Sequence, residues 1–96
     1  MAADDYPAPA TPYTLKEMVK QIKKDSGYAN FFHNLVKEAR NGNHAAQDLV
    51  EKHFEPHTAE LTDFQLNEGQ AIALKRCTDP RTHLADFAYY VVYNVS

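Results

Sequence analysis

The chain has one cysteine, three glycines and no tryptophan among its 96 residues. A lone Cys77 cannot close an internal disulfide, and it suits a reducing compartment such as the cytoplasm. Scarce glycine argues against a β fold, which needs many turns. Positive charge is also short: ten Lys and Arg stand against thirteen Asp and Glu, a formal −3. That balance gives no general pull toward nucleic acid or an anionic membrane. No apolar run approaches the ~20 residues of a membrane span. The opening M-A-A-D-D-Y-P-A-P-A puts acid where a secretory signal needs a basic region. Glycine-rich phosphate loops, G-x-S-x-G and close carboxylate pairs are all missing, so no enzyme is expected.

What is present reads as one small all-α domain. A chain of this size buries roughly 60–65% of its unfolded surface, so its stability is modest unless a partner adds to it. The hydrophobic share of 44% is too high for a disordered chain. Residues 1–13 hold Pro7, Pro9 and Pro12 and read as a mobile or extended lead-in. Thr14 and Glu17 form a capping box that opens a helix with Leu15, Met18, Val19 and Ile22 at helical spacing. Asp25-Ser26-Gly27 ends it. A second helix carries Tyr28, Phe31, Phe32, Leu35, Val36 and Ala39, the strongest amphipathic pattern in the chain.

Asn41-Gly42-Asn43 breaks that helix, because glycine and asparagine tolerate left-handed backbone. Asn43 caps a third helix with Ala45, Ala46, Leu49, Val50 and Phe54, stopped before Pro56. Thr62 with Gln65, or Asn67 with Gln70, can cap the next; the second pair is preferred, for a helix of Ala71, Ile72, Leu74 and Cys77. Asp79-Pro80 is a further start signal. Leu84, Phe87, Ala88, Val91 and Val95 then keep helical spacing, yet Tyr89-Tyr90-Val91-Val92-Tyr93 favours strand. The expected architecture is a bundle of four to five short helices, with a tail that is helical to about Ala88 and then helical or extended.

Chemistry is sparse. His53 and His57 are four apart, but Pro56 keeps them off one helical face. His53-Phe54-Glu55 matches the H-x-E of zinc deaminases, which also need P-C-x-x-C, and Cys77 stands alone. His33, His44 and His83 lie near polar edges, so all five histidines read as surface or packing residues and no metal is expected. Cys77 reads as a small core residue. Asp48, Glu51 and Glu55 share one helical flank, the usual pattern of a solvated face. As a DNA-reading helix, residues 68–77 offer only Gln70, Lys75 and Arg76, a weak footprint in an acidic chain. Asn94-Val95-Ser96 matches a glycosylation acceptor, without weight in the absence of a secretory signal.

Residues 87–96, F-A-Y-Y-V-V-Y-N-V-S, are the most aromatic and β-branched stretch of the chain. Folded inward, they would supply a large part of the core. Displayed, they would form an apolar ligand for another protein's groove.

Glu60-Leu61-Thr62-Asp63-Phe64-Gln65-Leu66, with the Ala71-Ile72-Ala73-Leu74 helix behind it, resembles the end of a helical leader in precursors of ribosomally made, post-translationally modified peptides. Phe31-Phe32 and Asn67-Glu68-Gly69-Gln70 are similar to the small helical domain of split-borosin precursors. That domain resembles the small α subunit of extradiol ring-cleavage dioxygenases. The likeness covers roughly residues 28–79.

It implies a lead-in over 1–13, a leader over 14–79, and a linker helix with a modified core over 80–96. Phe31, Phe32, Leu61, Phe64, Leu66, Ile72 and Leu74 would dock on a methyltransferase. That enzyme would hold S-adenosylmethionine, this chain binding no cofactor itself, and would N-methylate backbone within Tyr89, Tyr90, Val91, Val92, Tyr93, Asn94 and Val95. The competing expectation is a small helical accessory or interaction subunit with its tail packed internally or on a partner. Burial of Tyr90, Val91 and Val92 inside the bundle counts against the displayed core.

Overall fold

A computed structural model describes residues 6–57 and 64–95. Among the described residues five helices follow in order: α1 (Leu15–Lys24), α2 (Ser26–Arg40), α3 (His44–His53), α4 (Glu68–Arg76) and α5 (Pro80–Val95). The described residues contain no strand, only an isolated parallel bridge between Tyr13 and Phe54.

Local chemistry sets each boundary. Thr14 caps α1 in a reciprocal box with Glu17. A single residue, Asp25, ends α1 and starts α2: its amide donates to the Gln21 carbonyl, and its carboxylate accepts from the amides of Gly27 and Tyr28. Two helices can therefore follow one another with no loop between them. Gly42, at φ 95°, makes the turn out of α2, and Asn43 caps α3 by accepting from the Ala46 amide. No side chain crowds Gly42, so the backbone angle alone opposes substitution. Gly42→Ala should lower stability by about 1 kcal/mol, read as a shifted urea midpoint with an unchanged slope. Asn67 and Gln70 form the second capping box, on α4; the competing cap at Thr62 lies outside the described residues.

The pattern of α3 is rotated from its expected face. Ala46, Gln47, Val50 and His53 are buried, while Ala45 is exposed and so is Leu49. Gln47 can face inward because its side-chain amide donates to the Ala39 carbonyl at 3.1 Å. Phe54 leaves the helix and is fully buried in extended backbone, where it bridges Tyr13. The Tyr13 amide donates to the His53 carbonyl at 2.8 Å, and the Glu55 amide donates to the Tyr13 carbonyl at 2.9 Å. The extended lead-in is thus tied down at its end, and Tyr6 and Tyr13 both pack on the core.

The largest departure concerns the tail. It stays helical to Val95 and is neither extended after Ala88 nor set apart from the bundle. Ala85, Phe87, Ala88, Tyr90, Val91 and Val92 are buried, and α5 touches all four other helices, α2 most extensively. β-Branched and aromatic residues cost a helix roughly half a kcal/mol each relative to alanine. Burying each one returns about 1.5–3 kcal/mol, so burial decides the conformation. An element covered on several sides also needs no polar stripe, which explains the missing alternation. A single buried cluster draws residues from each described helix.

A file of rings runs through this core. Tyr28 stacks on Phe32, Phe32 meets Phe54 edge-on, Phe54 stacks on Phe87, and Phe64 meets Phe87 edge-on, with centroids 5.9–6.2 Å apart. The file links α2, the residue after α3, and α5.

Candidate functional site

The residues expected to dock a partner are mostly interior. Phe32 is fully buried, Phe31 and Leu74 are buried, and Phe64 and Leu66 are half-buried against the core. Only Ile72 is exposed, and Leu61 lies outside the described residues. The reason is the amphipathic spacing itself, which marks a face without saying whether the chain's own helices cover it. Here they do for Phe31, Phe32 and Leu74, which the folded body therefore does not present.

The seven expected core positions share one helix but not one environment. Tyr90 is 9% exposed, Val91 0% and Val92 2%, whereas Tyr93 is 62% exposed. Tyr89 and Val95 are half-buried. Asn94 is exposed yet tethered: its amide donates to Gln70 Oε1 at 3.0 Å and to the Gln65 carbonyl at 3.4 Å, and Gln70 returns a bond to its Oδ1. Gln70, the centre of the weak DNA-reading footprint, is therefore turned inward.

The histidines separate into one core residue and four others. His53 is 1% exposed, and its Nδ1 is hydrogen-bonded to the Tyr28 hydroxyl at 3.0 Å. The rings of Tyr28, Phe31 and Phe32 surround it. Burial pushes the His53 imidazole below its ordinary range, and burial together with the neighbouring Tyr13 pushes the Tyr28 phenol up. Both groups are held neutral, as a buried polar pair in an apolar cage requires. His33 lies on the surface of α2, stacked on Tyr89. Among the described residues no group of three or more His, Cys, Asp or Glu could hold a metal ion. Cys77 is half-buried after α4, its thiol 3.7 Å from the Asp79 carbonyl, and not a core residue.

Three surface features remain. The first is a stripe where α2 meets α5. The Arg40 guanidinium sits 4.2 Å over the Tyr89 ring and pairs with Asp86 at 2.7 Å. Tyr89 also stacks with the exposed Tyr93. The second is a hollow of about 430 Å³ where α3 ends and α5 begins, floored by Phe54, Leu84 and Phe87 and rimmed by Glu51, Glu55 and His83. Beside it, Arg81 binds both Asp48 and Glu51, so part of the expected solvated flank is an ion-pair network. Sequence spacing could flag Tyr89 with Tyr93 as helical neighbours. It could not flag the Arg40–Asp86 or Arg81–Glu51 pairs, whose partners come from different helices. The third feature is a shallow groove along α1, lined by Tyr13, Glu17, Lys20, Gln21, Lys23 and Lys24.

No family model, curated protein or solved structure matches the chain. Its class is therefore defined by its fold, an all-α bundle with five helices among the described residues, the last of them largely buried. Among the described residues no helix is long and apolar enough to cross a membrane.

Proposed function

We propose that this chain is a non-catalytic helical accessory or interaction subunit that works as a folded body and keeps residues 87–95 within itself. One observation carries that reading: Tyr90, Val91 and Val92 are sealed in a helix packed against every other described helix. A modifying enzyme that threads this stretch would need it extended and released. Release would expose Phe87, Val91 and Val92 together, at about 1.5–3 kcal/mol each. It would also break the hydrogen bonds of the amides that such an enzyme would methylate. The precursor reading, with S-adenosylmethionine on a partner methyltransferase, fits this packing less well. Three of its docking residues, Phe31, Phe32 and Leu74, and three of its core residues, Tyr90, Val91 and Val92, are buried in one body.

A partner subunit would meet the exposed side chains, and the stripe of Tyr93, Tyr89 and Arg40 is the most aromatic of them. Aromatic and arginine side chains are the common anchors of protein interfaces. The cytoplasm suits the half-buried thiol of Cys77, which needs reducing conditions to stay free.

Limited chymotrypsin digestion of the isolated chain should spare Tyr89 and Tyr90. The intact mass after co-expression with neighbouring genes should be unchanged. Early cleavage after Tyr89 and Tyr90, or methyl groups mapped to residues 89–95, would return the chain to the class of modified precursors.

A further inference from the structure

α1 carries Lys16, Lys20, Lys23 and Lys24 against a single Glu17, a net +3 in a chain of formal charge −3. Everything outside this helix therefore carries −6. Lys16, Lys20 and Lys23 recur at intervals of four and three residues, so they share one side of the helix. All four lysines are exposed, and none forms an ion pair among the described residues. Glu17, the one available counter-charge, is engaged in the capping box with Thr14.

Two of the four need no function. Lys23 and Lys24 lie in the last turn, where a cation is favoured by the helix dipole. The other two are unfavourable for the helix. Lys16 sits in the first turn, at the positive end of the dipole, and Lys20 is a like charge one turn on. No ion pair among the described residues offsets that repulsion. The groove beside these lysines holds about 490 Å³, and one wall is Tyr13. The two backbone hydrogen bonds to His53 and Glu55 fix Tyr13 in place, so the wall is rigid.

We infer that the lysine side of α1, with the groove lined by Tyr13, Glu17, Lys20, Lys23 and Lys24 beside it, is a docking site for an acidic polypeptide segment, which lays carboxylates along Lys16, Lys20, Lys23 and Lys24 and packs against Tyr13. A ten-residue helix is about 15 Å long, the reach of four to five residues of extended chain at ~3.3 Å each. Such a short segment can use the +3 face without meeting the −6 remainder, which would repel a long polyanion or an anionic bilayer. A membrane is disfavoured further because the exposed large apolar residues, Leu49, Ile72 and Tyr93, all lie off α1. The site contains no arginine fork of the kind that selects phosphate.

This inference rests on the reading of the chain as a folded interaction subunit and names the chemistry of one partner. The probe is a fluorescein-labelled hexaglutamate peptide titrated with the intact, unmodified full chain and read by anisotropy. Saturable binding is expected, weakening steeply as salt rises from about 50 to about 300 mM. The double variant Lys16→Glu/Lys20→Glu should weaken it at least about tenfold. Lys75→Glu/Arg76→Glu, an equal change of charge on α4, should leave it within about twofold. Circular dichroism of both variants checks that the bundle is intact. Absence of binding, equal losses in the two variants, or tighter binding to a DNA duplex or to phosphatidylserine vesicles than to the peptide would each overturn the inference. Failure of the underlying reading would appear elsewhere, as early cleavage after Tyr89 and Tyr90 or added mass on residues 89–95.

Discussion

Val91→Asp should abolish the folded state. Val91 is 0% exposed at the contact of α5 with the rest of the bundle. A carboxylate there would be sealed within the buried hydrophobic cluster, away from water. An unpaired buried charge costs several kcal/mol even when the group neutralises itself by taking up a proton. A domain of this size has only about 5–15 kcal/mol to lose. Two residues on, Tyr93 is 62% exposed, and Tyr93→Asp should change stability by no more than about 0.5–1 kcal/mol, the loss of its stacking with Tyr89. Thermal melts followed by circular dichroism separate the two outcomes. If Val91→Asp melts like the parent, α5 is not part of the core and the displayed-tail reading regains its footing.

Acid should destabilise the bundle through His53. Burial holds its imidazole below the ordinary value of 6.5 in the folded state. Above that pH the imidazole is neutral in both states and contributes no slope. As the pH falls below about 6.5 the unfolded chain takes up a proton that the folded chain refuses, so stability declines until the lowered folded value is passed. His33 acts in the same direction, lowered by burial and by Lys37, from a half-buried position. Urea midpoints should therefore drop between about pH 7.5 and about pH 5.5, above the range where carboxylates titrate.

Tyr28→Phe alone should cost about 1–3 kcal/mol, because it strands the buried Nδ1 without a partner. The double variant Tyr28→Phe/His53→Leu should be closer to the parent at neutral pH and should lose most of the acid slope. An acid slope that survives intact in the double variant would place the titrating group elsewhere.

What the sequence by itself determined is local. Thr14 with Glu17, and Asn67 with Gln70, predict two helix starts, and both capping boxes form, because a cap is a contact between residues three apart. Gly42 predicts a break and adopts the positive φ that only glycine takes easily. The all-α class follows from the helical spacing of residues such as Met18, Ile22, Phe32 and Val36.

Tertiary structure decided the rest. Period alone cannot say which face of a helix its own neighbours will cover, so Leu49 reads as interior and is exposed, while Gln47, Gln70 and His53 are buried on partners from other helices. Most consequential is the strand-prone run from Tyr89 to Tyr93. Its local preference is worth tenths of a kcal/mol per residue, and its burial among four other helices is worth several-fold more. That difference made a helix of it and placed Tyr90, Val91 and Val92 in the core.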